Sequence, residues 1–353
     1  MARLARAEVF AAEEIAIVHV MNRVVRRCFL LGRDAVTGKN YDHRKRWIED
    51  ELKHLAAAFG IDLLGYALLS NHLHLILRSR PDVVETWDTT ELARRWLRLT
   101  AGSRDRDPTE PELNSIRLDE AKLAAIRRRL SDISWWMRLL CQRIAQRANR
   151  EDQEVGKFWQ SRFRAVRLLD EESLLACAAY VDLNPIRAAL AETIEQSEFT
   201  SGQRRLQALA DGIAAAAEPP PNSASPPSRS ADSFLAPVEN DERTAELGPQ
   251  PSGNPARCSD KGFLEMSAAA YLELLDWTAR QLASGKQGAT PADTPPIFTR
   301  LSLSPETWCE LVRRFGSLFS SVAGRPQVVD GTRSRLHRHR HYLRQAAREL
   351  LSG

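Results

Sequence analysis

Residues 61–77 limit the fold more than any other stretch of this chain. Residues 61–69 and 72–77 are two apolar runs, rich in Leu and Ile, parted by Ser70-Asn71. Apolar runs of that length around a short polar break read as the two strands of an antiparallel hairpin. Residues 15–21, with Ile15, Ile17, Val18 and Val20, predict a further strand. Residues 44–59 carry Trp47, Ile48, Leu52, Leu55 and Ala56 at helical spacing, and Gly60 sits where a helix stop belongs. Residues 91–99 also read as helix, and residues 101–111 as a polar loop. Residues 119–150 read as one long helix, with Ile126, Leu130, Ile133, Met137, Leu140 and Ile144 in one stripe. A helix over 171–181 follows, and another starts at Pro185. This order predicts an α+β fold, an antiparallel sheet with helices packed on it.

Nine of the eighteen prolines lie between Pro219 and Pro255, in a segment rich in Ser and poor in apolar residues. Such a segment buries too little surface to offset its ordering entropy, so residues 217–256 read as a disordered linker. It would separate residues 1–216, with an insertion at about 79–130, from a mostly helical region at 257–353. The latter has a helix over 268–282 and a basic run over 333–341. The chain has 353 residues, and at ~150 residues per domain two units are the natural expectation. No run of 18 apolar residues occurs, so no membrane-spanning helix is expected. The N-terminal residues turn acidic before any apolar stretch develops, which makes a poor signal peptide. Cys28, Cys141, Cys177, Cys258 and Cys309 form no CxxC pair, so neither a zinc ribbon nor a disulfide framework is indicated. A reduced, cytoplasmic protein is the expectation.

Three groups of residues could carry chemistry. On a strand, His72 and His74 face one side while Leu73, Leu75 and Leu77 face the other. Paired imidazoles on a rigid strand make a bidentate metal site, or else two surface histidines. Tyr180 and Asn184 share a face if the helix runs through Leu183. Tyr180 equally reads as a core tyrosine among Leu174, Leu175 and Cys177. Asn184 before Pro185 equally reads as a helix N-cap. Finally, residues 122–167 hold twelve Lys or Arg against four acidic residues. Arg127, Arg128, Arg129, Arg138, Arg143 and Arg147 precede a segment in which Phe158, Trp159 and Phe163 interleave with Arg162 and Arg164. Aromatics that stack on bases between arginines that hold phosphates suit single-stranded nucleic acid, although a core strand would show the same alternation.

Three ordered segments resemble the HUH (His-hydrophobic-His) single-tyrosine transposases of the insertion-sequence 200 type, in the branch of REP-associated tyrosine transposases. They are Tyr66-Ala67-Leu68-Leu69-Ser70-Asn71-His72-Leu73-His74-Leu75, Phe158-Trp159-Gln160-Ser161-Arg162-Phe163, and Tyr180-Val181-Asp182-Leu183-Asn184-Pro185-Ile186-Arg187-Ala188. The resemblance covers about residues 12–200. It implies a ferredoxin-like transposase fold. It also implies His72, His74 and Asn184 as ligands of Mg²⁺ or Mn²⁺, and Tyr180 as nucleophile. The implied reaction cleaves and rejoins single-stranded or hairpin DNA through a 5′-phosphotyrosine, in transposition or repeat processing, with a homodimer as the expected state and nucleoid association when DNA is bound. The residues after 216 have no counterpart in the minimal enzymes.

A non-cleaving DNA-binding or regulatory protein derived from a transposase is the alternative, although a pure binder has no need of all four residues. A relaxase-type nuclease fits less well, because the tyrosine follows the histidine pair and has Asn184 four residues later.

Overall fold

The computed structural model describes residues 8–11, 13–25, 28–34, 37–100, 106–217, 230–240, 248–283, 295–336 and 341–352. Strand β1 (Ile17–Arg23) leads to α1 (His43–Ala58) and then to the expected hairpin, β2 (Ile61–Leu68) and β3 (His72–Ser79). Helices α2 (Pro81–Glu85), α3 (Thr89–Thr100), α4 (Glu110–Arg117), α5 (Glu120–Leu130) and α6 (Ile133–Asp152) follow. Next come β4 (Arg164–Leu168), α7 (Glu171–Asp182), α8 (Asn184–Arg187) and α9 (Ser201–Ala217). The last part contains α10 (Ala268–Ala283), α11 (Ile297–Arg300), α12 (Pro305–Leu318), β5 (Val322–Ala323), α13 (Pro326–Arg335) and α14 (Gln345–Leu351). The fold is α+β, as the sequence predicts.

The sheet order is β2-β3-β1-β4-β5. The first four strands are antiparallel neighbours, but β5 runs parallel to β4, so the sheet is mixed rather than wholly antiparallel. Side-chain alternation divides it into two faces. Val18, Val20, Leu73, Leu75 and Leu77 join a core with α1 and α3 to α6. Ile76, Val166 and Leu168 join a second core with α7, α10 and α12. Nine of the twelve residues of α7 are buried, because it lies between the sheet and α12.

The single long helix expected over 119–150 is broken into α5 and α6. Asp132 accepts a hydrogen bond from the Ser134 amide and caps the second helix. A side chain that satisfies a first-turn amide competes with continued helix, and it restarts the helix here. All six stripe residues are nonetheless buried.

The linker expectation fails wherever the segment is described. Phe234 and Leu235 are buried in the first core, and the Ala236 amide donates to the Leu63 carbonyl at 3.0 Å. Burying one such side chain is worth about 1.5–3 kcal/mol, enough to offset ordering its own backbone. Further on, Asp62 accepts from Ser259 at 2.8 Å and from Arg78 at 2.8 Å, while Arg78 donates to the Gly262 carbonyl at 2.8 Å. At Gly262 a Cβ would come 1.8 Å from the Glu239 carbonyl oxygen, so only glycine fits that crossing. Residues 218–229 and 241–247 lie outside the described residues.

Nor is the C-terminal region a separately packed unit. It supplies β5 to the sheet and α10 and α12 to the second core. Buried Asp182 binds this region to α7. It accepts from Tyr271 on α10 at 2.7 Å, from the Gly202 amide at 2.8 Å and from Ser201. Burial holds its carboxyl above the usual range against these bonds. Of the basic run, Arg333 pairs with Asp330 and His341 is buried, while residues 337–340 lie outside the described residues.

Candidate active site

The register of β1 on β3 sets the site. Met21 lies opposite His74 and Arg23 opposite His72, so residues 19, 21 and 23 share the face of the two histidines. The expected pair is therefore on one face, with ring centroids 5.0 Å apart. The Tyr180 ring, carried by α7 across this face, lies 5.4 Å from the His74 ring. The core-tyrosine reading is also partly right, since Tyr180 packs against the second core.

A third histidine completes the group. His19 Nε2 lies 2.9 Å from His74 Nδ1, and the two rings are near parallel at 8°. The His19 ring is 5.9 Å from that of Tyr180. On the other side, His72 Nδ1 is 2.6 Å from the Asn71 side-chain oxygen. Arg187 stacks over the Tyr180 ring at 4.5 Å and interacts with its hydroxyl.

All three imidazoles are neutral at neutral pH. Burial, then the charge of Arg23, pushes His72 down to about 4. Burial, then Arg164, pushes His19 down to about 3. Burial lowers His74 well below the usual value, and its two histidine neighbours, Arg187 and Arg23 act in the same direction. Neutral imidazole is the form that ligates metal.

A divalent cation fits this donor set. His74 Nε2 is buried and has no hydrogen-bond partner. Buried polar atoms of that kind are rare and call for a reason, such as an absent ion. Both histidines have Nδ1 engaged, by Asn71 and His19 respectively, which is the usual outer support of an Nε2 ligand. Among the described residues no group of three His, Cys, Asp or Glu side chains is arranged to hold a metal, so oxygen ligands would complete the shell. Asn184 is buried just past the end of α7. It does not cap a helix, since Leu183 is the N-cap of α8 and no side-chain cap bond forms there.

Tyr180 is half-buried, crowded on one side by α12. Phe315 of α12 lies 5.6 Å from the Tyr180 ring and 5.9 Å from His19. At Gly316 a Cβ would come 2.8 Å from the Tyr180 hydroxyl oxygen, so the helix approaches this closely because the residue is glycine. The space left among His19, Arg164, Tyr180 and Phe319 is about 20 Å³, room for about one water and too little for a phosphodiester.

The expected DNA contacts divide into two sets. Arg138 and Arg162 are exposed and line a cavity of about 470 Å³ with Asn22, Trp135 and Phe163. Trp159 borders the same cavity, but its ring is buried and its Nε1 donates to the Cys141 carbonyl at 2.8 Å, so it is a core residue rather than an open stacking platform. Arg147 stacks on Trp47 at 4.0 Å, Arg129 on Trp135 at 4.6 Å, and Arg128 is exposed. Arg127 and Arg143 are structural instead. The first donates to the Val84 and Trp87 carbonyls, the second to Glu51 and the Leu99 carbonyl. Arg164 lies in β4, beside the histidine group. Because side chains alternate on β1, Asn22 faces the cavity while Met21 and Arg23 face the histidines.

Sequence reasoning missed His19, Arg187, Phe315 and Gly316. Strand alternation puts His19 on one face with Met21 and Arg23, but only the register brings that face to His74. Arg187 stands inside the tyrosine segment two turns after Tyr180, a spacing that was available. Nothing local marks Phe315 or Gly316.

No family model matches this chain, and no curated protein does. A solved structure of a REP-associated tyrosine transposase bound to a REP hairpin is similar to it over 64% of this chain and 94% of that one, at 10% sequence identity and a TM-score of 0.35. Among the described residues no helix is long and apolar enough to cross a membrane.

Proposed function

We propose that this chain is a transposase-like nuclease that cleaves and rejoins single-stranded or hairpin DNA, with Tyr180 as nucleophile and Mg²⁺ or Mn²⁺ held by His72 and His74. The observation that carries this reading is the buried, unpartnered Nε2 of His74 beside His72, with a phenol 5.4 Å away between ring centroids. Neither a core histidine nor a core tyrosine requires that arrangement. Asn184 is the proposed third protein ligand.

When bound, the cation would act as a Lewis acid that offsets charge developing on the phosphate. Tyr180 Oη attacks phosphorus, the bond to the 3′ oxygen breaks, and a 5′-phosphotyrosine and a free 3′-hydroxyl result. The covalent intermediate retains a phosphodiester-type bond for rejoining. Arg187, stacked on the Tyr180 ring, adds positive charge where the phosphate must lie. The histidine pair and Tyr180 belong to one chain, so this reading does not require a homodimer. Arg138 and Arg162 are the proposed backbone contacts outside the catalytic face.

The crowding of Tyr180 by α12 favours a second reading, a non-cleaving DNA-binding protein. Phe315 and Gly316, in the last turn of α12, limit how a phosphodiester reaches the Tyr180 hydroxyl. Incubation with hairpin DNA and Mn²⁺, followed by denaturing electrophoresis, separates the two. A covalent protein–DNA band that is lost in Tyr180→Phe supports the nuclease. No band from the native chain or from Phe315→Ala, with DNA binding intact, supports the non-cleaving reading.

A further inference from the structure

The contact between His19 and His74 has a chemical consequence that depends on where one proton sits. It rests on the reading above, in which His74 is a metal ligand. One of the two facing nitrogens must donate and the other accept. If His19 Nε2 donated, His74 would carry its own proton on Nε2, which is buried with no partner. A buried N–H left unsatisfied costs about 1–3 kcal/mol, and a protonated nitrogen cannot bind metal. If His74 Nδ1 donates to His19 Nε2, the buried His74 Nε2 has only a lone pair, free for a cation. The near-parallel rings, both buried, hold this bond in place.

We propose that His19 is a positioning residue: it accepts the Nδ1 proton of His74 and so fixes the tautomer in which Nε2 faces the divalent cation. His19 itself touches neither DNA nor metal in this arrangement. The Asn71 side-chain oxygen does the same for His72, at 2.6 Å. The two supports differ in kind. Asn71 is the direct sequence neighbour of its histidine, whereas His19 comes from another strand and reaches its partner only through the β1–β3 register.

Mn²⁺ binding to the full chain, read from the free-ion electron paramagnetic resonance signal, tests this without any turnover. Removing an outer support typically weakens metal binding about 10–100-fold. His19→Phe, which retains a flat ring but no acceptor, should lose affinity on that scale. His19→Gln, whose amide can present an oxygen near the former Nε2, should recover most of it. A His19→Phe protein that binds Mn²⁺ as tightly as the native chain overturns the proposal. If the native chain does not bind Mn²⁺, or His72→Ala binds as the native chain does, the metal reading itself fails. Should His19→Phe not fold, the native protein decides the matter. With ¹⁵N-labelled histidine, long-range nitrogen–proton correlations report which His74 nitrogen carries the proton. Nδ1 is expected, and Nε2 refutes the proposal.

Discussion

Acidification should destabilise this protein well before its carboxylates titrate, and the histidine group sets how much. His72 falls from 6.5 to about 4 on folding, and His19 from 6.5 to about 3. A lowered folded-state value means that the unfolded chain takes up protons which the folded chain refuses. The stabilising contribution is therefore complete above pH 6.5 and drains away as pH falls through the window down to about 4 or 3. At pH 5 the unfolded imidazoles are almost fully protonated and the folded ones almost fully neutral. Each of the two then forfeits about 1.5 pK units, or roughly 2 kcal/mol. The two together give about 4 kcal/mol, a large part of a typical folding free energy. Urea unfolding at pH 7.5 and pH 5.0, at constant salt, measures it. Glu49 and Asp62, whose carboxyls lie low because of Arg204 and Arg78, lose stability only at lower pH, so the comparison stops at 5.0. The same pair of measurements on a His19→Phe, His72→Asn double variant supplies the reference. Equal stability of the native chain at the two pH values, or an equal fall in the double variant, would refute the reasoning.

Three further outcomes follow from the packing. A chain cut after residue 216 should fail to fold cooperatively, as judged by its melting curve, because it loses β5 and the α10 and α12 half of the second core; a sharp transition near that of the full chain would contradict the shared core. Phe315→Ala should cost about 3–5 kcal/mol in denaturant unfolding, and it should raise the yield of covalent adduct because Tyr180 is less crowded; a lower yield from folded protein would count against α12 as the obstacle. Arg138→Ala and Arg162→Ala should each lower the log–log salt slope of DNA binding by about 0.7. Arg143→Ala should leave that slope alone and destabilise the fold by about 3 kcal/mol, because it removes the ion pair to the buried carboxylate of Glu51.

The parts legible in the sequence were those whose signal is local. The hairpin, α1, α3, α7 and α10 have clean periodicity or turn residues, and the histidine pair follows from strand alternation alone. Tyr180 could be placed with them through its ordered segment. The rest depends on contacts between distant residues. Whether residues 230–240 and 248–262 pack is decided by Phe234, Leu235 and the Asp62 cluster, against a background of proline and serine that argues the other way. His19 becomes a partner of His74 only through strand register. Arg127 and Arg143 look like phosphate ligands in sequence, yet they bind carbonyls and a carboxylate because the helix faces that carry them point inward. Trp159 shows the same ambiguity resolved towards the core.

The parallel pairing of β5 with β4 also bears on how the molecule is made. Leu168 waits for Ala323, 155 positions later. At about 5–20 residues per second on the ribosome, that wait is roughly 8–30 s. Throughout it the edge of β4 has unpaired amide and carbonyl groups, and the apolar side of α7 lacks its cover. Open strand edges recruit other strands, so the nascent chain is most prone to aggregation in that interval. The order of synthesis also delays the packing of Phe315 and Gly316 on Tyr180 until α12 has left the ribosome, so the phenol is least crowded in that interval.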